Sequence, residues 1–138
     1  MSDLTHFVVI DDDKFNNKIC TVTLSKLSDP QYIKTFTDPV EGFEHIATTY
    51  STTAEQNKCV LFLDINMPVM NGWEFLDQFD ELPPSIKKRV KIYILSSSVD
   101  KKDIERANTN KYVVSYLIKP LTKETITLIT RMQSRVTS

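Results

Sequence analysis

Glycine is scarce in this 138-residue chain, with only 2 residues, and no repeat or low-complexity tract takes its place. A flexible linker between two domains is therefore not visible, and one compact unit is expected. Cysteine is equally sparse: Cys20 and Cys59 lie far apart, each among apolar residues, which fits two reduced core thiols better than a disulfide. Charge of one sign is also lacking, since the net charge is -1. That removes the basic excess expected of a nucleic-acid binder or of a protein held to an anionic membrane. No stretch of about eighteen apolar residues occurs, and the start, MSDLTHFVVIDDD, has no basic region followed by an apolar one. The expectation is a soluble, unexported, cytoplasmic protein with no membrane or nucleic-acid partner, a single domain over 1–138 with its core at about 5–136.

What the chain does have is alternation. Five short runs rich in β-branched and aromatic residues read as strands: FVVI (7–10), YIKTF (32–36), CVLFL (59–63), VKIYIL (90–95) and VVSYLI (113–118). The first and third are continuously apolar, as in strands covered on both faces. Between and after them lie five segments with helical spacing. Phe15, Ile19, Val22 and Leu27 form one apolar stripe, and Val40, Phe43, Ile46, Ala47 and Tyr50 a second, opened by Asp38 as N-cap with Pro39 at the first helical position. Trp73, Leu76 and Phe79 follow Asn71-Gly72; Ile104 and Ala107 mark a fourth helix, and Ile126, Ile129, Met132 and Val136 a fifth, capped by Thr122. Strand and helix in turn call for an α/β, doubly wound parallel sheet, whose ligands sit beyond the carboxyl ends of the strands.

Asp11, Asp12 and Asp13 follow the first strand, Asp64 the third, Ser96, Ser97 and Ser98 the fourth, and Lys119-Pro120 the fifth. Carboxylates meeting at one end of a sheet repel, so they require a divalent cation or a shared proton. Oxygen donors without His or Cys favour Mg²⁺. Lys119 and Ser96 add an ammonium and a hydroxyl, the groups that hold a phosphoryl unit, and an aspartate can itself be the nucleophile that accepts one.

The motifs V-I-D-D-D, L-D-I-N-M-P-V-M-N-G, L-S-S-S and Y-L-I-K-P, in this order and spacing, resemble the receiver domains of two-component response regulators from Phe7 to about Val136. The resemblance implies a flavodoxin-like five-stranded parallel sheet of order 2-1-3-4-5 with five helices. It implies that Asp64 accepts a phosphoryl group from a sensor histidine kinase or histidine phosphotransfer protein. Mg²⁺ would be held by Asp12, Asp64 and the backbone carbonyl of Asn66, with Asp11 acting through water. Ser96 and Lys119 would bind the phosphoryl oxygens, Tyr116 would be the aromatic switch, and Lys119-Pro120 would be cis. The expected protein is a stand-alone, phosphorylation-controlled signalling module rather than an enzyme. Its readout is a contact made by the fourth helix, fifth strand and fifth helix with an unknown downstream protein. A phosphorelay shuttle or sink is a variant of the same chemistry. A haloacid-dehalogenase-like phosphatase using Asp11 and Asp13 is the enzymatic alternative, weakened because KPLTKET supplies only Glu124 as a downstream acid.

Several residues have simpler roles. Asp13 is expected to cap the first helix, Ser97 and Ser98 to start the fourth, and His6 and His45 to be a solvated strand start and a helix-surface residue. Trp73 and Phe79 belong to the core stripe, and Lys87, Lys88, Arg89 and Lys91 to a solvated edge. The stretches STTAEQN and ELPPSIKKR read as surface loops, and NTNKYVVSY departs from the small pair that receivers commonly carry before the fifth strand.

Overall fold

In the computed structural model, residues 5–51 and 57–137 are described, with side chains to Arg131. Five strands run in chain order: β1 (Thr5–Ile10), β2 (Ile33–Phe36), β3 (Lys58–Leu63), β4 (Val90–Ser96) and β5 (Val113–Ile118). They form one sheet of order β2-β1-β3-β4-β5, every pairing parallel. The flavodoxin-like topology expected from the sequence is thus present, with the reversal of strand order between β1 and β3.

Among the described residues six α-helices surround it: α1 (Lys14–Ser25), α2 (Pro39–Thr49), α3 (Gly72–Asp80), α4 (Pro84–Lys87), α5 (Lys101–Asn108) and α6 (Lys123–Thr137). The sixth, α4, is a correction, since five were expected and ELPPSIKKR was read as a loop. Pro84 presets its first turn and Ile86 drops into the core, which a one-turn helix is too short to announce by periodicity. Side chains alternate along each buried strand. Val8, Ile10, Leu61, Leu63, Ile92 and Ile94 face α2, α3, α4 and α5, whereas Phe7, Val9, Val60, Phe62, Tyr93 and Leu95 face α1 and α6. Both cysteines are buried free thiols, as expected. Among the described residues no helix is long and apolar enough to cross a membrane.

The stripe assigned to α1 is also corrected. Phe15 is 72% exposed and Val22 54%, and Leu27 is exposed too. The buried side is Asn16, Asn17, Cys20 and Leu24. On α2 Ile46, and at its C-cap Tyr50, are buried as expected while Val40 is exposed, and on α6 Ile126 and Ile129 are buried. The side chains of Met132 and Val136 lie outside the described residues, as does the 52–56 part of STTAEQN.

Neither histidine is simply solvated. His6 bonds the Tyr50 hydroxyl at 2.9 Å and stacks on Tyr32, and half-buried His45 packs on Phe36. Where receivers commonly have a small pair, Tyr112 packs edge-on against Phe79 and its hydroxyl bonds the Asp80 carboxylate and Lys87. Lys87 is therefore tied into this cluster rather than free at an edge.

Candidate functional site

The strand ends carry the candidate residues because backbone bonding continues past the apolar runs. The N–H of Asp11 donates to the Phe36 carbonyl at 3.0 Å, that of Asp64 to Ile10 at 3.0 Å, and that of Lys119 to Ser96 at 2.9 Å. Each candidate side chain therefore begins from backbone fixed by its neighbour strand. Asp11, Asp64 and Ser96 are buried, while Asp12 and Asn66 are exposed. The Lys119-Pro120 peptide is cis.

Asp11, Asp12 and Asp64 each place a carboxylate oxygen within 4.8 Å of the others. Burial, and next the Asp11 charge, push the Asp64 carboxyl from its ordinary 3.8 up to about 6, against the lowering pull of Lys119 and of the Asn66 and Ile65 N–H groups. Three hard oxygen donors crowding one another fit a divalent cation, whose charge would relieve that repulsion. Lys119 lies 2.7 Å from Asp11 and 3.9 Å from Asp64, so its ammonium leans on the first strand's acid rather than on the third's. Burial alone would lower the Lys119 pKa, but the hydrogen bond to Asp11 and the charges of Asp64 and Asp11 raise it, keeping the ammonium charged.

The loop after β3 is closed by α3. Asn71 and Glu74 cap α3 reciprocally, and the Gly72 N–H donates to the Ile65 carbonyl at 3.1 Å. A Cβ on Gly72 would lie 2.8 Å from both the Asp64 carbonyl oxygen and the Ile65 Cα, so only glycine lets α3 approach this closely. The Asn66 N–H bonds the Asp64 carboxylate at 3.3 Å.

On β4, the Ser96 hydroxyl accepts from the Ser98 N–H at 3.1 Å, and Ser98 in turn bonds Asp103 on α5 at 2.8 Å. The Tyr116 hydroxyl donates to the Ser98 carbonyl at 2.9 Å, and its ring packs against the core. Ser96 and Tyr116 thus meet through one loop residue. Asp13 caps α1 by accepting from the Phe15 N–H at 2.9 Å, as expected.

Two residues were missed from the sequence. The Asn16 amide donates to the Asp11 carboxylate and the Asn17 amide to the Asp11 carbonyl, both at 2.9 Å. Asparagine is a poor residue for a helix interior, and two in a row starting three residues after the acidic run were the available signal.

The family model described as response regulator receiver domain matches residues 7–131. Among curated proteins none matches significantly. Solved structures that resemble the chain include a response regulator receiver protein from Dyadobacter fermentans, 29% identical with a TM-score of 0.77 over 95% of this chain and 96% of that one. A two component response regulator from Cytophaga hutchinsonii is 25% identical, with a TM-score of 0.80 over 95% and 97%. The chemotaxis protein CheY4 of Vibrio cholerae, 21% identical with a TM-score of 0.67 over 96% and 98%, shares the fold.

Proposed function

This chain belongs to the response regulator receiver domain family, and on that premise we propose that it is switched by a phosphoryl group carried on Asp64. The observation that carries the reading is the meeting of Asp11, Asp12 and Asp64 at the strand ends beside Lys119. The donor is a phosphohistidine on a sensor histidine kinase or histidine phosphotransfer protein. An Asp64 carboxylate oxygen attacks phosphorus as the phosphorus–nitrogen bond breaks, and the electron pair returns to the imidazole, which takes up a proton. Mg²⁺, held by Asp12, Asp64 and the Asn66 carbonyl with Asp11 acting through water, would neutralise charge on the transferring oxygens.

Lys119 supplies a second positive charge to those oxygens. In the present arrangement it is paired mainly with Asp11, so taking up the phosphoryl group draws it across toward Asp64. Ser96 donates its hydroxyl proton to a phosphoryl oxygen of the same group, and because its oxygen also accepts from the Ser98 N–H, movement of Ser96 toward that group pulls on the loop. Since Tyr116 is bonded to the Ser98 carbonyl, a shift of that loop moves the aromatic ring and re-forms the surface of α5, β5 and α6. The output is a contact with a further protein rather than turnover of a substrate.

Incubation with a small acyl phosphate and Mg²⁺, followed by intact mass measurement, tests this. The native protein should gain one phosphoryl group, Asp64→Asn none, and chelator should abolish the gain. Labelling that persists in Asp64→Asn overturns the assignment, and steady release of phosphate from esters without a stable label favours a phosphatase.

A further inference from the structure

Asp11 is the most heavily bonded acid of the site. Its Oδ1 accepts from the Asp13 N–H at 2.8 Å, while its Oδ2 accepts both from Lys119 Nζ at 2.7 Å and from Asn16 Nδ2 at 2.9 Å. Lys119 and Asn16 belong to different elements, the loop after β5 and the first turn of α1, so they hold the same oxygen from two directions. Beside Asn16, the amide of Asn17 donates to the Asp11 carbonyl at 2.9 Å and more weakly to that of Phe36 at 3.5 Å. Both asparagines are buried, on the side of α1 that faces the sheet.

A buried amide N–H costs free energy unless it is bonded, and here Asp11 accepts from the Nδ2 group of each asparagine. The type of donor matters as much as its presence. Three carboxylates and one ammonium leave the site with a surplus of two negative charges, matched to a dication. A second lysine or an arginine at position 16 would erase half of that surplus. An amide fixes Asp11 and leaves the charge unchanged.

Resting on the function proposed above, we propose that Asn16 is a positioning residue for the dication. Its amide holds the Asp11 carboxylate against the pull of Lys119 and so raises the affinity of the site for Mg²⁺.

Mg²⁺ binding to the full chain is measured by titration calorimetry, alongside thermal unfolding in chelator. Asn16→Leu, close in volume and without a donor, is expected to weaken Mg²⁺ binding about tenfold, the scale seen when a ligand loses its outer partner. In the Asp11→Asn background, where Asp12 and Asp64 remain, the same substitution should weaken it no further, because Asn16 acts through Asp11. Unchanged affinity in Asn16→Leu, or an equal loss in both backgrounds, overturns the role of Asn16. Should the leucine variant not fold, Asn16→Ala, which favours helix, carries the same expectation. Failure of the unsubstituted protein to bind Mg²⁺ would instead overturn the reading of the site as a dication site.

Discussion

Replacing Asp64 by asparagine should stabilise the metal-free protein at neutral pH. Asp64 is 5% exposed, and burial together with Asp11 raises its carboxyl from 3.8 to about 6. A folded-state pKa above the unfolded one means that the native state holds the proton more tightly. Its contribution to stability is complete below pH ~4 and is lost as pH rises through about 6. Each tenfold in proton affinity is worth about 1.4 kcal/mol, which bounds the ionisation penalty at about 3 kcal/mol. Solvent reaching the rim of the site screens part of this, leaving about 1–2 kcal/mol, or roughly 3–8 °C in melting temperature for a domain of this size. Thermal unfolding in chelator across pH 4.5 to 7.5 is the assay. Asp64→Asn should melt above the native protein at the upper end, and the gap should narrow on acidification. Added Mg²⁺ should raise the native protein and leave the variant nearly unmoved. Equal melting at neutral pH, or a gap that widens on acidification, would be incompatible with an Asp64 carboxyl raised by burial and by Asp11.

Two further substitutions probe the scaffold. Gly72→Ala forces a methyl group against the Asp64 carbonyl and Ile65 Cα, atoms of the backbone that cannot turn aside. It should cost about 1–3 kcal/mol in urea unfolding and reduce phosphoryl labelling of Asp64. Phe15→Ser tests the outward face of α1: at 72% exposure the change should stay within about 0.5 kcal/mol, where a core phenylalanine would lose about 3–5 kcal/mol on truncation.

The parts of this structure that were legible in the sequence are those fixed by one residue and its chain neighbours. An apolar run that stops at a carboxylate shows both a strand and where it ends, so β1 with Asp11 after it and β3 with Asp64 after it could be read directly. Caps were equally local: Asp13 and Asp38 bond N–H groups two residues ahead of themselves. The face of α1 was not local. Its buried side is chosen by Asp11, a charge that needs donors, so Asn16 and Asn17 turn inward while Phe15 and Val22 turn out, the reverse of an apolar count. Lys119 was rightly brought to the acids, but its preference for Asp11 over Asp64 depends on the distance between two strand ends, which no spacing along the chain encodes. Tyr112 likewise reads as an odd residue before β5 until Phe79, Asp80 and Lys87 are seen beside it.

In the proposed function one carboxylate, Asp64, carries the phosphoryl group. Treating the phosphorylated native protein with borohydride reduces an acyl phosphate to an alcohol with release of phosphate, and peptide sequencing by mass spectrometry then locates the reduced residue. Homoserine is expected at position 64, with aspartate retained at positions 11, 12 and 13. Homoserine at any of those three, or a stable phosphoryl label with position 64 unreduced, would contradict it.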